Sequence, residues 1–239
     1  MDLEYVKRET MPAKWCPGCG LHTLFSVVTE VLGELKLTNT VIVSGIGCSG
    51  RSASYFNLDT LHGLHGRPIP NAVGIKAANP KLNVVVVSGD GDLLGIGGNH
   101  LLHAARRNDN ITVICNNNEV LAMTGGQLAP TTRVGGKTTL TPEGSEISPI
   151  NAQGIITSNK RYFYARTSTV HIDHLRKCVK EALQHEGFSF VENVFPCIDN
   201  YAIKSLGLTL KDVMAETKEG YKITSAETLG ERDLGVMKR

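Results

Sequence analysis

The sequence contains no long apolar run, no excess of either charge, no internal repeat and no low-complexity segment. No apolar stretch is long enough to cross a bilayer, which excludes a membrane-spanning helix. A net charge of +2, from 25 Lys and Arg against 23 Asp and Glu, gives no electrostatic reason to expect nucleic acid or an anionic membrane as a partner. The opening MDLEYVKRET lacks the apolar centre of a signal peptide, so the expected location is cytoplasmic. Six cysteines are enough for a disulfide framework, but in a reducing compartment a cysteine pair is more often a metal or redox site. What is present is 239 residues, 41% of them hydrophobic, enough for one large α/β domain or a compact pair.

Apolar periodicity predicts a helix from about Leu21 to Leu35, a short buried strand over Thr40–Ser44 and a Gly-, Ser- and His-rich loop from Gly45 to Gly66. A helix over Asn71–Ala78 stops before Pro80. The strand Val84–Val87, a helix over Gly98–Arg107 and the strand Ile111–Cys115 follow. Gly pairs and Thr pairs punctuate Ala122–Asn159, which predicts long loops of functional kind. Beyond them come a strand at Tyr162–Ala165, an amphipathic helix over His171–His185 and a strand at Phe188–Val194. The expected organisation is a domain over residues 1–207 and a tail over 208–239. One helix is predicted in the tail, at Leu210–Lys218, and its last twenty polar residues are expected to be mobile or docked on a partner.

The most informative stretch is Gly89-Asp90-Gly91-Asp92, followed about one βαβ unit later by Asn116-Asn117-Asn118-Glu119-Val120. Each run ends an apolar strand. Parallel strands put their C-terminal ends on one edge of the sheet, so Asp90 and Asn118 are expected to converge. A carboxylate, an amide oxygen and a backbone carbonyl suit a hard cation such as Mg²⁺, which also takes phosphate oxygens. Gly45-x-Gly47-x-x-Gly50 fits a dinucleotide fingerprint literally, but no clean helix follows it. His62 and His65 flank Gly63-Leu64. Arg51 and Arg67 are read either as solvated charges or as bidentate grips for a substrate carboxylate.

Cys16-Pro-Gly-Cys19 offers two thiolates from one tight turn, and Cys48 and Cys197 each follow a strand end. Four thiolates at one sheet edge could hold a [4Fe–4S] cluster or a zinc ion, and a lone C-x-x-C suits a redox dithiol equally. Cys115, within a strand, and Cys178, on a helix's apolar face, read as inert core thiols.

Taken in order, these pieces resemble the β subunit of the 2-oxoacid:ferredoxin oxidoreductases over nearly the whole chain. The matching segments are Cys16-Pro-Gly-Cys19-Gly20, Gly45-Ile46-Gly47-Cys48-Ser49 and Leu61-His62-Gly63-Leu64-His65-Gly66-Arg67. Gly89-Asp90-Gly91-Asp92, Gly97-Gly98-Asn99-His100, Met123-Thr124-Gly125-Gly126-Gln127, Pro130-Thr131-Thr132 and Pro196-Cys197 complete the series. The Gly-Cys-Ser and His-Gly-Arg segments look most like the 2-oxoglutarate branch. Three segments depart from the family: Leu121-Ala122 stands where Tyr-Gly is common, and Gly144–Asn159 and the tail beyond Cys197 match poorly.

The resemblance implies a thiamine diphosphate-binding α/β fold, mainly a parallel sheet with helices on both faces. It implies Cys16, Cys19, Cys48 and Cys197 as ligands of a [4Fe–4S] cluster. Asp90, Asn118 and the Val120 carbonyl become Mg²⁺ ligands. Ile46, Gly47, Cys48, Ser49, His65, Gly91, Asp92, Met123 and Thr124 become cofactor-lining residues, with His65, Arg51 and Arg67 as catalytic candidates. The implied reaction is oxidative decarboxylation of a 2-oxoacid, with coenzyme A taking the acyl group and ferredoxin the electrons. Expected substrates are 2-oxoglutarate first, then 2-oxoisovalerate, pyruvate or an aryl pyruvate. A different class, a non-oxidative thiamine decarboxylase with structural zinc, and a non-catalytic assembly module are the competing readings. Thiamine chemistry in this family also needs a glutamate from a pyrimidine-binding domain, for which one α/β domain leaves no room. An α subunit with pyrimidine-binding and γ-like domains is therefore the expected partner, with γ and δ subunits beyond it, and the chain alone is expected to be inactive.

Overall fold

A computed structural model describes residues 1–239. Its centre is an eight-stranded sheet. In chain order the strands are β1 (Thr40–Ser44), β2 (Asp59–His62), β3 (Asn83–Gly89), β4 (Thr112–Asn117), the small hairpin strands β5 (Val120–Leu121) and β6 (Gln127–Leu128), β7 (Phe163–Thr167), β8 (Ser189–Val194), β9 (Lys222–Ile223) and β10 (Asp233–Lys238). The sheet order is β2-β1-β3-β4-β8-β7-β10-β9, and β5 and β6 pair separately. Strands β2 to β7 in that order run parallel; β10 joins β7 antiparallel. No helix is long and apolar enough to cross a membrane.

The period of two along each strand sends neighbouring side chains to opposite faces, and both faces are buried. Ile42, Val85, Val87, Ile114 and Val191 enter one core, closed by α1 (Gly20–Glu34). Val43, Val84, Val86, Val113 and Phe190 enter a second core on the other face. That core is closed by α2 (Pro68–Ala78), α3 (Gly98–Arg107) and α4 (Ala152–Thr157). Helix α5 (Ile172–Gln184) completes the first layer, placing Leu175, Cys178, Val179 and Ala182 beside α1. Cys115 and Cys178 are fully buried, as expected of core thiols. Burial pushes the Cys178 thiol up to about 12.

After β1 the chain lays β2 on one side of it; after α2 it lays β3 on the other. The loops leaving β1 and β3 therefore diverge and open a crevice at their C-terminal ends, the position where open parallel sheets bind ligands.

The structure corrects several expectations. The Gly45–Gly66 loop contains a 3₁₀ turn (Ser49–Ser54) and strand β2, whose polar, largely exposed residues carry no apolar alternation. Helix α2 starts at Pro68, whose fixed φ and missing N–H suit a first turn, rather than at Asn71. Within Ala122–Asn159 lie β6 and α4. The tail is not a free appendage beyond residue 207. After the turn α6 (Lys204–Leu206) and helix α7 (Leu210–Gly220), the chain returns and β10 pairs Val236 with Ala165 and Met237 with Tyr164. Val236 packs on the first core and Met237 on the second, so the last strand is held by both layers.

Candidate active site

The loops after β1, β2, β3 and β4 enclose a cleft of about 660 Å³. Ile46, Gly47, Cys48 and Ser49 come from the β1 loop, His65 from the β2 loop, Asp90, Gly91 and Asp92 from β3. Asn118, Val120, Met123 and Thr124 come from beyond β4. All line the same space, with Gly89, Leu121 and Ala122, which sequence reasoning had not singled out as lining residues.

Asp90 and Asp92 are equally buried, at 2% exposure, yet they are used in opposite ways. Asp92 is saturated. Its Oδ1 accepts from the Gly66 amide at 2.6 Å and the Ile46 amide at 3.4 Å and meets His65 Nδ1 at 2.5 Å; its Oδ2 accepts from Ser88 Oγ at 2.6 Å. One carboxylate thereby ties together the loops after three strands. Gly45 is required for this: a Cβ there would stand 2.0 Å from Asp92 Oδ2. Held at Nδ1, His65 has no protein partner for Nε2, which is left to the cleft.

Asp90 keeps acceptor capacity in hand. Its Oδ1 accepts from the Gly91 amide at 2.9 Å, and its Oδ2 accepts from the Glu119 amide at 3.1 Å and from the Thr131 hydroxyl. Burial nevertheless pushes its carboxyl up to about 6, against the opposing pull of these donors. Glu119 adopts a left-handed backbone (φ 64) between Asn118 and Val120. Near Asp90, the inward atom of the Asn118 amide stands 2.8 Å from the Val120 carbonyl oxygen and 3.1 Å from Asp90 Oδ1. With nitrogen inward, the amide donates to both. With oxygen inward, three acceptors face one another with no proton between them. Mg–O bonds of 2.0–2.1 Å at right angles separate neighbouring oxygens by ~2.9 Å. The two separations from the Asn118 amide, 2.8 and 3.1 Å, are close to that spacing.

Beyond Cys48 the cleft shares a wall with a second cavity, of about 820 Å³. Cys16, Cys19, Cys48 and Cys197 all line it, and all four are free thiols. Burial pushes the Cys19 thiol up to about 12, assisted by the charges of the other three. No three His, Cys, Asp or Glu side chains in the molecule stand close enough to grip one metal ion. The four thiols thus share one cavity without forming a close-set group.

Neither arginine candidate lines the cleft. Arg51 lines the thiol cavity, with its guanidinium donating to the Lys14 carbonyl at 2.7 Å. Arg67 donates to the Gly66 carbonyl at 3.2 Å, and its charge, after burial, depresses the pKa of His100 on α3. Two supporting residues were missed: Thr131, which fixes Asp90, and Trp15, whose Nε1 donates to the Cys48 carbonyl at 2.9 Å. Thr131 stands in the Pro-Thr-Thr motif, and that motif was its only sequence signal.

A parallel sheet carrying an acid, an amide and a carbonyl at its switch point defines an enzyme domain that holds a diphosphate cofactor. The family model for the C-terminal TPP-binding domain of thiamine pyrophosphate enzymes matches residues 45–193. The 2-oxoglutarate synthase subunit KorB of Archaeoglobus fulgidus is 40% identical over 99% of this chain and 88% of its own length. The 2-oxoacid:ferredoxin oxidoreductase subunit beta of Saccharolobus solfataricus is 42% identical over 77% of this chain and 61% of its own. A solved 2-oxoglutarate:ferredoxin oxidoreductase from Magnetococcus marinus, with 2-oxoglutarate, coenzyme A and succinyl-CoA bound, superposes with a TM-score of 0.86. It is 28% identical and covers 98% of this chain and 83% of its own. The chain belongs to the β-subunit family of the 2-oxoacid:ferredoxin oxidoreductases.

Proposed function

We propose that this β subunit serves a 2-oxoglutarate:ferredoxin oxidoreductase. The reaction converts 2-oxoglutarate, coenzyme A and oxidised ferredoxin into succinyl-CoA, carbon dioxide and reduced ferredoxin. The observation that carries this reading is the wall of Cys48, Asn118, Ala122 and Met123 shared between the cleft in which Asp90, Asn118 and the Val120 carbonyl meet and a cavity lined by four thiols. Relatives named for 2-oxoglutarate favour that substrate over 2-oxoisovalerate or pyruvate.

Asp90, Asn118 and the Val120 carbonyl would hold Mg²⁺ at the diphosphate end of the cleft. Cys16, Cys19, Cys48 and Cys197 hold a [4Fe–4S] cluster. When bound, thiamine diphosphate supplies the electron sink for decarboxylation, and the cluster accepts electrons singly. Asp92 fixes the tautomer and direction of His65, so that Nε2 meets charge developing near the reacting carbon. Leu121 and Ala122 shape the cleft wall. An α subunit supplies the pyrimidine-binding half, and the main sheet described above serves the diphosphate half. The γ and δ subunits and ferredoxin dock beyond it. Free thiols at all six cysteines suit a cytoplasmic setting.

Anaerobic co-purification with the α subunit tests the reading, with iron, zinc and thiamine assayed and a 2-oxoacid panel run with coenzyme A and a viologen dye. The expected result is a brown complex that prefers 2-oxoglutarate and loses turnover when the subunits are separated. A colourless zinc protein, or full turnover by the single chain, would overturn it.

A further inference from the structure

Asn118 and Val120 line the cleft, but Glu119 between them does not. Its backbone is left-handed (φ 64), and its side chain lies in a separate polar cavity. A residue other than glycine keeps such a backbone only where its surroundings over-determine it. The side chain does not supply that hold: Glu119 Oε2 accepts no hydrogen bond, and Arg133 Nε stands 3.9 Å from it. The peptide groups do. The Glu119 amide donates to Asp90 Oδ2 at 3.1 Å and to Asn117 Oδ1 at 3.3 Å, and the Glu119 carbonyl accepts from the Thr132 hydroxyl at 2.6 Å.

Thr132 is itself fixed. It is buried, stands outside the cleft lining, and closes the turn Ala129–Thr132 twice. Its amide donates to the Ala129 carbonyl at 3.1 Å, and its Oγ1 accepts from the Ala129 amide at 2.8 Å. With that lone pair occupied, the single hydroxyl proton is directed at Glu119. The turn follows β6, whose Leu128 pairs with Val120. The preceding residue, Thr131, donates to Asp90 Oδ2. Adjacent threonines thus brace Asp90 and the loop that faces it.

We infer that Thr132 is a positioning residue for the metal site: its hydroxyl holds the Glu119 carbonyl, and with it the bend that keeps the Asn118 amide and the Val120 carbonyl beside Asp90. The inference rests on the magnesium reading given under Proposed function. Loss of a hydrogen-bonding partner behind metal ligands lowers metal affinity about 10–100-fold. Valine at this position would keep the shape of threonine and remove both side-chain hydrogen bonds, whereas serine would keep both.

The test uses the anaerobic αβ complex with thiamine diphosphate, as wild type, Thr132→Val and Thr132→Ser. Mn²⁺ affinity is read by EPR, melting is followed with and without Mn²⁺, and iron is counted. Thr132→Val should bind Mn²⁺ about tenfold or more weakly, gain less thermal protection from it and retain its iron. Thr132→Ser should stay within about threefold of wild type. Excess Mn²⁺ should restore most of the turnover of Thr132→Val, since no group that touches the cation has been removed. A merely structural hydroxyl would lower the melting temperature of Thr132→Val equally with and without Mn²⁺ and leave the affinity unchanged. That result would overturn the inference, as would an equal loss of affinity in Thr132→Ser. If Thr132→Val does not assemble, Thr132→Cys takes its place. Its thiol is a weak donor, so a loss of about threefold is expected, and an unchanged affinity there would overturn the inference too. Wild type that binds no Mn²⁺ would instead defeat the metal reading itself.

Discussion

The cleft and the thiol cavity share Cys48, Asn118, Ala122 and Met123 but are built by opposite means. The cleft is assembled from strand ends that the parallel sheet brings together, and then locked by one saturated carboxylate, Asp92. The thiol cavity draws its four thiols from an N-terminal turn, a strand end and a distant strand end near the C-terminus. Two side-chain bonds, from Arg51 and Trp15, fasten its two N-terminal loops. The sheet alone therefore dictates the cleft, whereas the cavity depends on long-range chain crossings. Damage to either should leave the other standing.

Asp90→Ala is expected to have the largest effect and to make that separation visible. Turnover of the assembled complex should fall below about a thousandth of wild type, because the oxygen face for the cation is lost. Thiamine diphosphate should be lost with it, while the iron content stays near wild type. Cys197→Ser should do the reverse, abolishing the cluster's EPR signal and ferredoxin reduction while thiamine diphosphate binding holds within about threefold. If either substitution emptied both sites, the shared wall at Cys48 would be coupling them and the independence argued here would fail.

The same contrast explains what was legible in the sequence. The residues now seen round the cleft stood in contiguous motifs at the ends of apolar strands, and parallel pairing converts such positions into neighbours. The hydrogen-bond load on each residue was not legible. Asp90 and Asp92 look alike in Gly-Asp-Gly-Asp, and only folding shows Ile46 and Gly66 amides arriving at Asp92 from other loops. The bond from Arg51 to the Lys14 carbonyl was not legible either, because nothing local reveals that the two meet. Strand β10 was missed for a similar reason. Gly235 interrupts its short alternation, and the partner that satisfies its backbone, β7, lies some seventy residues away.

Asp92→Asn tests the lock itself, at smaller amplitude. The amide cannot accept at every oxygen position, so one of the Ser88, Gly66 or His65 donors is opposed by an N–H. Loss of a supporting partner of this kind lowers activity about 10–100-fold. The decrease should appear mainly in kcat with iron retained, and His65→Asn should add little to it, since both changes misplace one imidazole. Fully additive losses in the double variant would show that Asp92 and His65 act separately.

The mildest effect concerns the proton that competes for Asp90. In the metal-free chain, burial lifts this carboxyl from 3.8 to about 6. Below 3.8 it is protonated both folded and unfolded and costs nothing. Between the two values the unfolded chain ionises first, so stability falls as pH rises. Above 6 the full penalty remains, on the order of 3 kcal/mol. A cation at Asp90 opposes that penalty only when the carboxyl is ionised, so metal binding must release the proton. Mn²⁺ binding to the αβ complex with thiamine diphosphate, followed by EPR, should be nearly flat from pH 8 to 7. It should then weaken about tenfold between pH 7 and 5. The iron–sulfur signal, governed by thiols on the far side of Cys48, should not follow that curve. A parallel decline of both signals would mean that a proton on the cleft side is felt in the thiol cavity, and the two sites would have to be treated as one electrostatic unit.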